Sequence, residues 1–529
     1  TAAQAVQALI DALPDEVTDD NAEAVAQALT DIDDAKESLT DDELAGLDLT
    51  RYDAAANALL ALLGEAPADA VELLDTTYTE PQKDGGWYLI KNESNLRWFA
   101  NEVSINGQTT INARLTDNIL VDKTTQWTPI GTETNPFTGK FDGCNFTITG
   151  LYFDNSDTNY VGLFGYVGEN GTVKDVTLKD SYVSGNECVG GICGRNKGGT
   201  VQGCHNTGTV SGTQSVGGVC GENRNSGIIQ KCDNAGTVSG TGYSIGGVCG
   251  VNAANLNSTP TIQECYNTGT VSGDVNVGGV CGYSYDGTVE NCYNTGTVSG
   301  AYTVGGVCGR NEKSSSYSAT VNGCYNTGTV SGANAVGGVC GYNVSNSTVK
   351  NCYYLDTNTK AIGGGTGVST NCESKTKLQF QNGDVAFQLQ SALGATSPQV
   401  WGQRIGTDKT PVLSGDSSYK VYHPDSGTSP CTGGYNNTGD GTLAHKYENS
   451  ACIYCGEHEP PALDNGYYQI TNQWQLYWFA KWVNGVSPVT TEPHPGTNAK
   501  LMNNITLNEG VLTNGELNTG ANFTSWTPI

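Results

Sequence analysis

The stretch VGGVCGYSYDGTVENCYNTGTVSG occupies residues 277–300, and closely similar text stands on both sides of it. The cysteine that follows its glycine pair recurs at spacings of 27, 29, 32, 27 and 32 residues, as Cys193, Cys220, Cys249, Cys281, Cys308 and Cys340. A second cysteine comes later in each repeat, as Cys204, Cys232, Cys265, Cys292, Cys324 and Cys352. A period near 27 residues with short valine-containing strands predicts coils of a parallel β-solenoid, about 4.8 Å apart.

Apolar residues recur where the core of such a coil needs them. One position holds Val173, Val201, Ile229, Ile262, Val289, Val321 and Val349, and another holds Val183, Val210, Val238, Val271, Val298 and Val330. The glycines of VGG, CG and NTG are expected to bend the backbone at corners with positive φ. A stacked ladder of side-chain amides is expected from Asn206, Asn234, Asn267, Asn294 and Asn326.

Composition narrows the class of protein. The 529 residues include 70 glycines, 18 cysteines and one methionine, with a formal net charge of -28. This acidity argues against binding of nucleic acid or of anionic membrane surfaces, since both require many Lys and Arg. No apolar run is long enough to insert in a membrane, and the first residues lack the pattern of a signal peptide. Regularly spaced cysteines favour an oxidising, extracellular setting, so the chain is expected to be a processed or excised segment.

The pattern changes several times along the chain. Residues 1–78 have apolar residues at helical spacing in three stretches and predict a three-helix bundle. The predicted order is then an N-terminal cap of the solenoid at 79–130, coils at 131–375, a closing segment at 376–422, a Cys/His-rich linker at 423–462, and a second solenoid module at 463–529. That last stretch restates 85–130 and stops at WTPI, which predicts a truncated copy of the first module.

Several phrases resemble known families. YVGLFGYVGENGTV and the six VGG[VI]CG versions resemble the GLUG repeat of bacterial surface proteins, which include adhesins and some immunoglobulin-A peptidases. FTGKFDGCNFTITGL resembles the first coil of pectate-lyase-like right-handed β-helices, and FQNGDVAFQLQ with WGQRIGTDKTPVL resembles the closing segment of secreted proteins of Gram-positive gut bacteria. The resemblance spans roughly residues 86–415 and implies a mainly β, right-handed parallel β-helix. It identifies architecture better than activity.

The repeat cysteines have three interpretations. In the first coil Phe164 and Val176 replace both cysteines, and this joint absence favours disulfides within each coil. The predicted pairs are Cys193 with Cys204, Cys220 with Cys232, Cys249 with Cys265, Cys281 with Cys292, Cys308 with Cys324, and Cys340 with Cys352. Alternatively, reduced thiols fill a narrow core, or Cys204 pairs with Cys220 and onward, which leaves Cys193 without a partner. Cys144, Cys188 and Cys372 have no predicted partner.

One cluster has the composition of a metal site. Cys431, His445, Cys452 and Cys455 combine a Cys-x-x-Cys knuckle with a further Cys and a His upstream. Four such ligands suit a closed, structural zinc site, and zinc is the one cofactor that the sequence suggests. The alternative is a disulfide and a spare thiol.

Two features of the sequence are candidates for partner binding. Tyr266, Tyr293, Tyr325 and Tyr353 each follow a repeat cysteine and are expected to form an outward aromatic column. The column would either stabilise the sheet or stack on sugar rings. Longer segments at 252–261 and 311–320 fall at the same point of the coil and are expected to project from one edge as binding loops.

No catalytic constellation is present in the sequence. The five histidines lack HExxH spacing, Ser lacks a nucleophile elbow, and basic residues do not recur in register as in polysaccharide lyases. We therefore expect a non-enzymatic, extracellular protein of a bacterial surface, forming a rod or fibre stalk with other copies or modules and binding glycans or a host surface. The alternative is a carbohydrate-active β-helix enzyme.

Overall fold

The computed structural model describes most of the chain between residues 78 and 416 and parts of both ends. The described residues are 2–14, 17–18, 21–36, 47, 51–52, 55, 78–255, 258–314, 319–355, 360–394, 397–404, 407–416, 419, 447–448, 451–452, 459–485, 493–505, 512–513 and 516–517. The chain divides into two compact units, Thr1–Thr77 and Tyr78–Ile529.

The first unit contains two described helices, α1 (Ala2–Asp11) and α2 (Ala22–Lys36). Their apolar faces share a small core that contains Ile10 and Ile32. Most of the residues predicted to form a third helix lie outside the described part of the chain. The three-helix bundle therefore stays a prediction.

The second unit begins with a cap. A short strand, Gln82–Asp84, pairs antiparallel with Trp87–Ile90, and helix α3 (Glu93–Ser104) follows. Asn92 caps α3 by accepting a hydrogen bond from the Asn95 backbone N–H, as helix N-cap side chains do. The buried ring of Phe99 packs against Phe137 and Phe141, at centroid distances of 6.0 Å to each. Helix α3 thus joins the core of the solenoid at its start.

The coils stack as two parallel sheets. The first sheet contains a ladder of eleven strands in register: Trp87–Ile90, Asn112–Leu115, Lys140–Asp142, Thr172–Lys174, Thr200–Gln202, Ile228–Gln230, Thr261–Gln263, Thr288–Glu290, Thr320–Asn322, Thr348–Leu355 and Val368–Lys375. It also contains a second ladder of short strands: Ile119–Leu120, Thr147–Thr149, Thr177–Lys179, His205–Asn206, Asp233–Asn234, Tyr266–Asn267, Tyr293–Asn294 and Tyr325–Asn326.

The second sheet forms the remaining walls of each coil. Its strands are Tyr152–Asp154, Phe164–Val167, Tyr182–Ser184, Glu187–Gly190, Cys193–Lys197, Thr209–Gly212, Gln214–Gly217, Cys220–Arg224, Thr237–Gly240, Tyr243–Gly246, Cys249–Ala253, Val271–Ser272, Val275–Gly278, Cys281–Tyr285, Val298–Gly305, Cys308–Glu312, Val330–Asn343 and Lys360–Gly365. The predicted parallel β-solenoid is confirmed. Its right-handedness stays a prediction.

The predicted apolar positions line the core of the solenoid. Val289 pairs with Ile262 on one side and Val321 on the other, and all three side chains are fully buried. Val298 lies between Val271 and Val330 in the second sheet; Val271 and Val298 are fully buried, and Val330 is partly buried.

The prediction that the repeat glycines bend the corners with positive φ is wrong. The glycines of VGG, CG and NTG do not have positive φ. Their role is close approach: a Cβ on Gly191 would lie 2.5 Å from the carbonyl oxygen of Gly218 and 2.9 Å from Cγ of Asn206. Positive φ falls mainly on residues at two other positions of the coil. One of these positions directly precedes the second cysteine and includes Lys231 and Glu264.

The predicted amide ladder is confirmed. Asn206, Asn234, Asn267 and Asn294 each donate from Nδ2 to Oδ1 of the next asparagine at 2.8 Å, and the ladder ends at Asn326. A second ladder was not predicted: it runs through Asn196, Asn223 and Asn252, and resumes at Asn311 and Asn343. Ser284 interrupts it. The first ladder satisfies buried amides along the axis. The second is incomplete, since Asn196 Oδ1, Ser284 Oγ and Asn311 Oδ1 are buried without a hydrogen-bond partner among the described residues.

Two further regions follow the last coil. The closing segment has helices α4 (Lys377–Gln381) and α5 (Asp384–Ser391) and an antiparallel pair, Trp401–Gly402 with Val412–Leu413. A later module consists of Ala462–Asp464, Tyr467–Ile470, helix α6 (Gln473–Asn484) and Asn498–Leu501, with the same strand pairing as the cap. Short hairpins join Tyr447–Glu448 to Ala451–Cys452 and Leu512–Thr513 to Glu516–Leu517.

Candidate functional site: the tyrosine stack and the cavity at its end

The four predicted tyrosines do form a column. The Tyr266 and Tyr293 rings are parallel at 4.7 Å between centroids, and Tyr293 and Tyr325 are parallel at 4.9 Å. Tyr353 pairs with Tyr325 in the strand register. The in-register stacking of coils therefore places like rings face to face.

Most of this column is not open to a ligand, which corrects the prediction of an outward binding column. Tyr293, Tyr325 and Tyr353 are only 9%, 0% and 5% exposed. They are covered by the closing segment, whose Phe380, Val385, Leu389 and Trp401 complete one apolar cluster with them. Tyr325 also donates its hydroxyl to the Pro411 carbonyl oxygen at 2.6 Å. Three of the four rings thus anchor the closing segment.

Tyr266, the first ring of the stack, borders a cavity of about 280 Å³. The cavity lies between the solenoid and the end of the closing segment. The solenoid contributes His205, Lys231, Asp233, Glu264 and Tyr266, and the closing segment contributes Gln399, Val400, Leu413, Ser414 and Gly415. In the ladder, Tyr266 pairs with Asp233, and Asp233 pairs with His205. The aromatic column is therefore replaced by polar residues where the cavity opens.

The charged groups of this cavity are paired with one another. The Asp233 carboxylate, 9% exposed, contacts Nδ1 of His205. This hydrogen bond raises the pKa of His205. Lys231 Nζ lies 3.7 Å from the Glu264 carboxylate, a loose pair at the rim. Burial, with Asp233 nearby, raises the pKa of the Tyr266 phenol, so its hydroxyl stays protonated at neutral pH. The cavity offers an aromatic ring, two carboxylates and protonated donors within a small volume.

The two cysteine sets run separately along the axis, and the predicted within-coil disulfides are not formed. All fifteen cysteines with described side chains are free. Cys193 pairs in register with Cys220 in the second sheet, whereas the Cys204 backbone N–H donates to Sγ of Cys232 at 3.4 Å beside the first sheet. Each repeat cysteine thus lies beside its own equivalent in an adjacent coil. Burial raises the pKa of the Cys193 and Cys204 thiols, which keeps them protonated.

Two of the three unassigned cysteines have clear environments. Cys372 pairs in register with Cys352 and so extends the second column into the last coil. Cys188 is buried beside Glu222, with its Sγ 3.4 Å from Oε2 of that carboxylate. Glu222 in turn pairs with Arg195 and Arg224 on the outer face of the second sheet. The buried carboxylate of this cluster is paired with two arginines, which is typical of a structural contact. Cys144 is exposed.

The predicted zinc site is not described by the structure. Cys431, His445 and Cys455 lie outside the described residues, and only the backbone of Cys452 is described, in a short hairpin. Within the part of the chain that is described, no group of three His, Cys, Asp or Glu side chains is arranged to hold a metal ion. In that same part, every helix is too short or too polar to cross a bilayer.

The two long segments fall at the same corner of the solenoid, as expected. Thr261, Thr288 and Thr320 are equivalent, and Asp286 and Gly287 alone link the strands of the intervening coil. The corresponding linkers are therefore 254–260 and 313–319, each five residues longer than Asp286–Gly287, and the predicted segments extend into the strands on both sides. Asn252 and Asn311 belong to the buried amide ladder.

A stack of in-register coils with repeated apolar, thiol and amide positions defines a parallel β-solenoid protein. The GLUG motif matches residues 185–211 and 273–299. The chain therefore contains GLUG motifs within a parallel β-solenoid, in agreement with the resemblance of its repeats.

The chain is similar to parts of other proteins. A provisionally named Gly-rich membrane protein of Evansella cellulosilytica is 40% identical over 75 residues, which cover 14% of this chain and 9% of that protein. Halomucin of Haloquadratum walsbyi is 39% identical over 83 residues, which cover 16% of this chain and 1% of that protein. A solved structure of a provisionally assigned immunoglobulin A1 protease from Bacteroides ovatus aligns with 63% of this chain and 94% of its own, at 22% identity and a TM-score of 0.41. The chain thus matches only a small share of either curated relative.

Proposed function

We propose that the chain is a non-enzymatic structural and adhesive segment of an extracellular bacterial surface protein. Its solenoid acts as a stiff spacer, and its two long loops attach to glycans or to a host surface. The GLUG repeats support this role, as do relatives named as a Gly-rich membrane protein and a halomucin. The strongly acidic composition is compatible with an exposed, soluble surface.

The continuous axial bonding of the solenoid is the observation that carries the proposal. Eleven rungs of one ladder are joined by ten parallel pairings, which at about 4.8 Å per step amount to about 48 Å. The repeated valines, asparagines and glycines all serve contacts with the next coil. Such a nearest-neighbour stack resists bending and adds length without changing the cross-section.

The long loops are the proposed attachment surface. A variant that replaces 254–260 and 313–319 with Asp-Gly keeps the short turn that the intervening coil already uses. We expect this variant to keep the circular dichroism spectrum and melting temperature of the parent protein. Beads coated with it should bind cultured epithelial cells and mucin-coated plates several-fold less than beads coated with the parent.

Two results would contradict the proposal. Unchanged bead attachment by the loop variant would remove the loops from the adhesive surface. Turnover of pectin, alginate or hyaluronate by the purified chain, abolished by substituting one acidic residue of the coils, would favour the carbohydrate-active enzyme instead. A variant with Asp-Gly in place of 254–260 alone separates the contributions of the two loops.

A further inference from the structure

The cavity beside Tyr266 differs from the rest of the solenoid surface. Elsewhere in the stack, each tyrosine has a neighbouring ring or the closing segment against it. On the side of Tyr266 away from Tyr293, the next residue of the column is Asp233, which is too short to cover a whole aromatic ring. Part of one ring face is therefore turned towards a polar cavity.

We propose that this cavity binds a single pyranose ring of a neutral or amino sugar, stacked on Tyr266. The proposal deepens the adhesive role inferred above and rests on it for its biological setting. It assigns the recognition to a site distinct from the long loops, because none of the residues that line the cavity belongs to 254–260 or 313–319.

The aromatic face of Tyr266 is the reason why a pyranose ring is the proposed ligand. A pyranose presents axial C–H groups on one face, and such groups pack favourably on the electron-rich face of an aromatic side chain. The stack fixes the orientation of Tyr266, since its ring is parallel to that of Tyr293 within 1°. A pre-oriented platform loses little conformational entropy when the ligand binds.

The polar groups suit hydroxyl recognition. The carboxylates of Asp233 and Glu264 accept hydrogen bonds, and the Lys231 ammonium donates them. His205 is 42% exposed at its side chain and already held by Asp233, so its remaining ring nitrogen is oriented by that contact. Vicinal hydroxyls of a sugar provide both donors and acceptors, and an amino substituent would add a cation near the carboxylates.

The charges also predict what the cavity rejects. Two carboxylates face one lysine and one histidine, and the whole chain carries a net charge of -28. An acidic sugar would bring a third carboxylate close to Asp233 and Glu264. The volume of about 280 Å³ accommodates a small ring and leaves little room for a longer buried oligosaccharide.

The test is direct binding of monosaccharides to the purified full chain. Saturation-transfer NMR and calorimetry with methyl glucoside, methyl galactoside, glucosamine and glucuronate should show binding of at least one neutral or amino sugar and none of glucuronate. Tyr266→Ala and Asp233→Asn should each weaken that binding by about tenfold or more, the loss of roughly one good stacking or charged hydrogen-bond contact. Tyr266→Phe, which keeps the ring, should retain most of it.

The controls separate the site from the fold. Tyr243→Ala removes a tyrosine that is 56% exposed on the second sheet and should leave sugar binding unchanged. Melting temperatures identify any variant that loses binding by unfolding, and Tyr266→Phe gives an independent reading if Tyr266→Ala is unstable. No binding of any neutral or amino sugar, or equal binding by parent and Asp233→Asn, would overturn the proposal. If cells still attach but no sugar binds, the proposed sugar site is contradicted and the adhesive role is not. If a sugar binds but cells do not attach, the adhesive role is contradicted and the sugar site is not.

Discussion

At the scale of single residues, the repeat cysteines behave as small apolar side chains. Cys204, Cys232 and Cys265 are fully buried and follow one another along the axis. The Cys232 thiol donates to the Gln230 carbonyl at 3.3 Å, a contact that requires the S–H to be present. A cysteine fills a narrow core position without the extra methyl group of a valine.

Thiol modification under native conditions tests this arrangement. We expect iodoacetamide to label Cys144, which is exposed, and Cys372 more slowly, while the twelve repeat cysteines react only after denaturation. Peptide mapping without a reducing agent measures the outcome. Recovery of Cys193 linked to Cys204, or of Cys281 linked to Cys292, would show that the coils close by disulfides in solution.

The pKa of His205 tests the geometry of the cavity at the same scale. The contact with Asp233, and the charge of Asp175 further away, hold this pKa above its usual value of 6.5. The stabilisation from this pair is therefore fully present below the unfolded-state pKa of His and is lost as the pH rises through the folded-state value. NMR titration should give a pKa above 6.5, and Asp233→Asn should lower it. Equal values in parent and variant would contradict the contact.

The sequence predicts core residues of this fold better than it predicts corners. The core position of Val289 and the ladder position of Asn267 follow from the sequence, because every coil repeats the same environment. The role of the repeat glycines does not follow from the sequence. A sequence shows where a Cβ is absent, but not which neighbouring backbone atom occupies the space that the Cβ would need. Lys231 and Glu264 are not of types that favour positive φ, and only the same position in other coils, held by Gly203, Asn291 and Gly323, signals this conformation.

At the scale of elements, the second glycine of each VGG lets the second sheet approach the amide ladder of the first sheet closely. Gly191 lies against Asn206 of the amide ladder and the backbone of Gly218. We expect Gly191→Ala to cost about 3 kcal/mol of unfolding free energy, because neither neighbour can move without breaking axial hydrogen bonds. Denaturant unfolding monitored by circular dichroism measures this cost. Gly496→Ala is the matched control, since a Cβ there meets nothing within 4 Å, and a similar loss in both variants would contradict the explanation.

The closing segment places two buried aromatic rings, those of Trp401 and Phe380, against the tyrosine stack. Trp401 is fully buried, and its ring lies 5.6 Å from that of Tyr325 and 6.1 Å from that of Tyr293. We expect Trp401→Ala to weaken docking of this segment by about 3 to 5 kcal/mol and to expose the tyrosine stack. Limited proteolysis should then cleave within 376–416 much faster, while the coils stay resistant. Trp401→Phe should show a smaller effect, and unchanged cleavage in the alanine variant would contradict this anchoring role.

The cavity cannot be predicted from the sequence, because its two walls come from residues far apart in the chain. Asp233 and Tyr266 belong to neighbouring coils, but Val400 and Leu413 arrive from the closing segment. The change from tyrosine to Asp233 and His205 in one column is visible in the sequence. Without the position of the closing segment, however, that change does not distinguish a binding site from an ordinary surface.

At the scale of the whole solenoid, stability is expected to depend on position along the axis. A central rung such as Thr261–Gln263 has a paired strand on each side, whereas Val368–Lys375 is the last rung described in its ladder and Val368 is 53% exposed. Because such stacks are stabilised by nearest neighbours, opening should begin at the less supported rungs.

Native-state hydrogen exchange measures this gradient. We expect backbone amides of Val368–Lys375 to exchange at least about tenfold faster than those of Thr261–Gln263, with intermediate rungs in between. Gly191→Ala should speed exchange mainly in the coils next to it. Uniform exchange along the ladder would instead indicate that the solenoid opens as one cooperative unit.

The near identity of the coils has a consequence for inheritance. Residues 273–299 span one whole coil, and removing them in frame would place Gly300 directly after Ser272. Val271 and Ser272 would then take the positions of Val298 and Ser299, with every column still in order. Recombination between the repeated gene segments would therefore lengthen or shorten the solenoid by whole rungs of about 4.8 Å while leaving the structure of the remaining coils unchanged. Under the proposed role as a surface spacer, the distance that it spans would change in fixed steps without any new sequence.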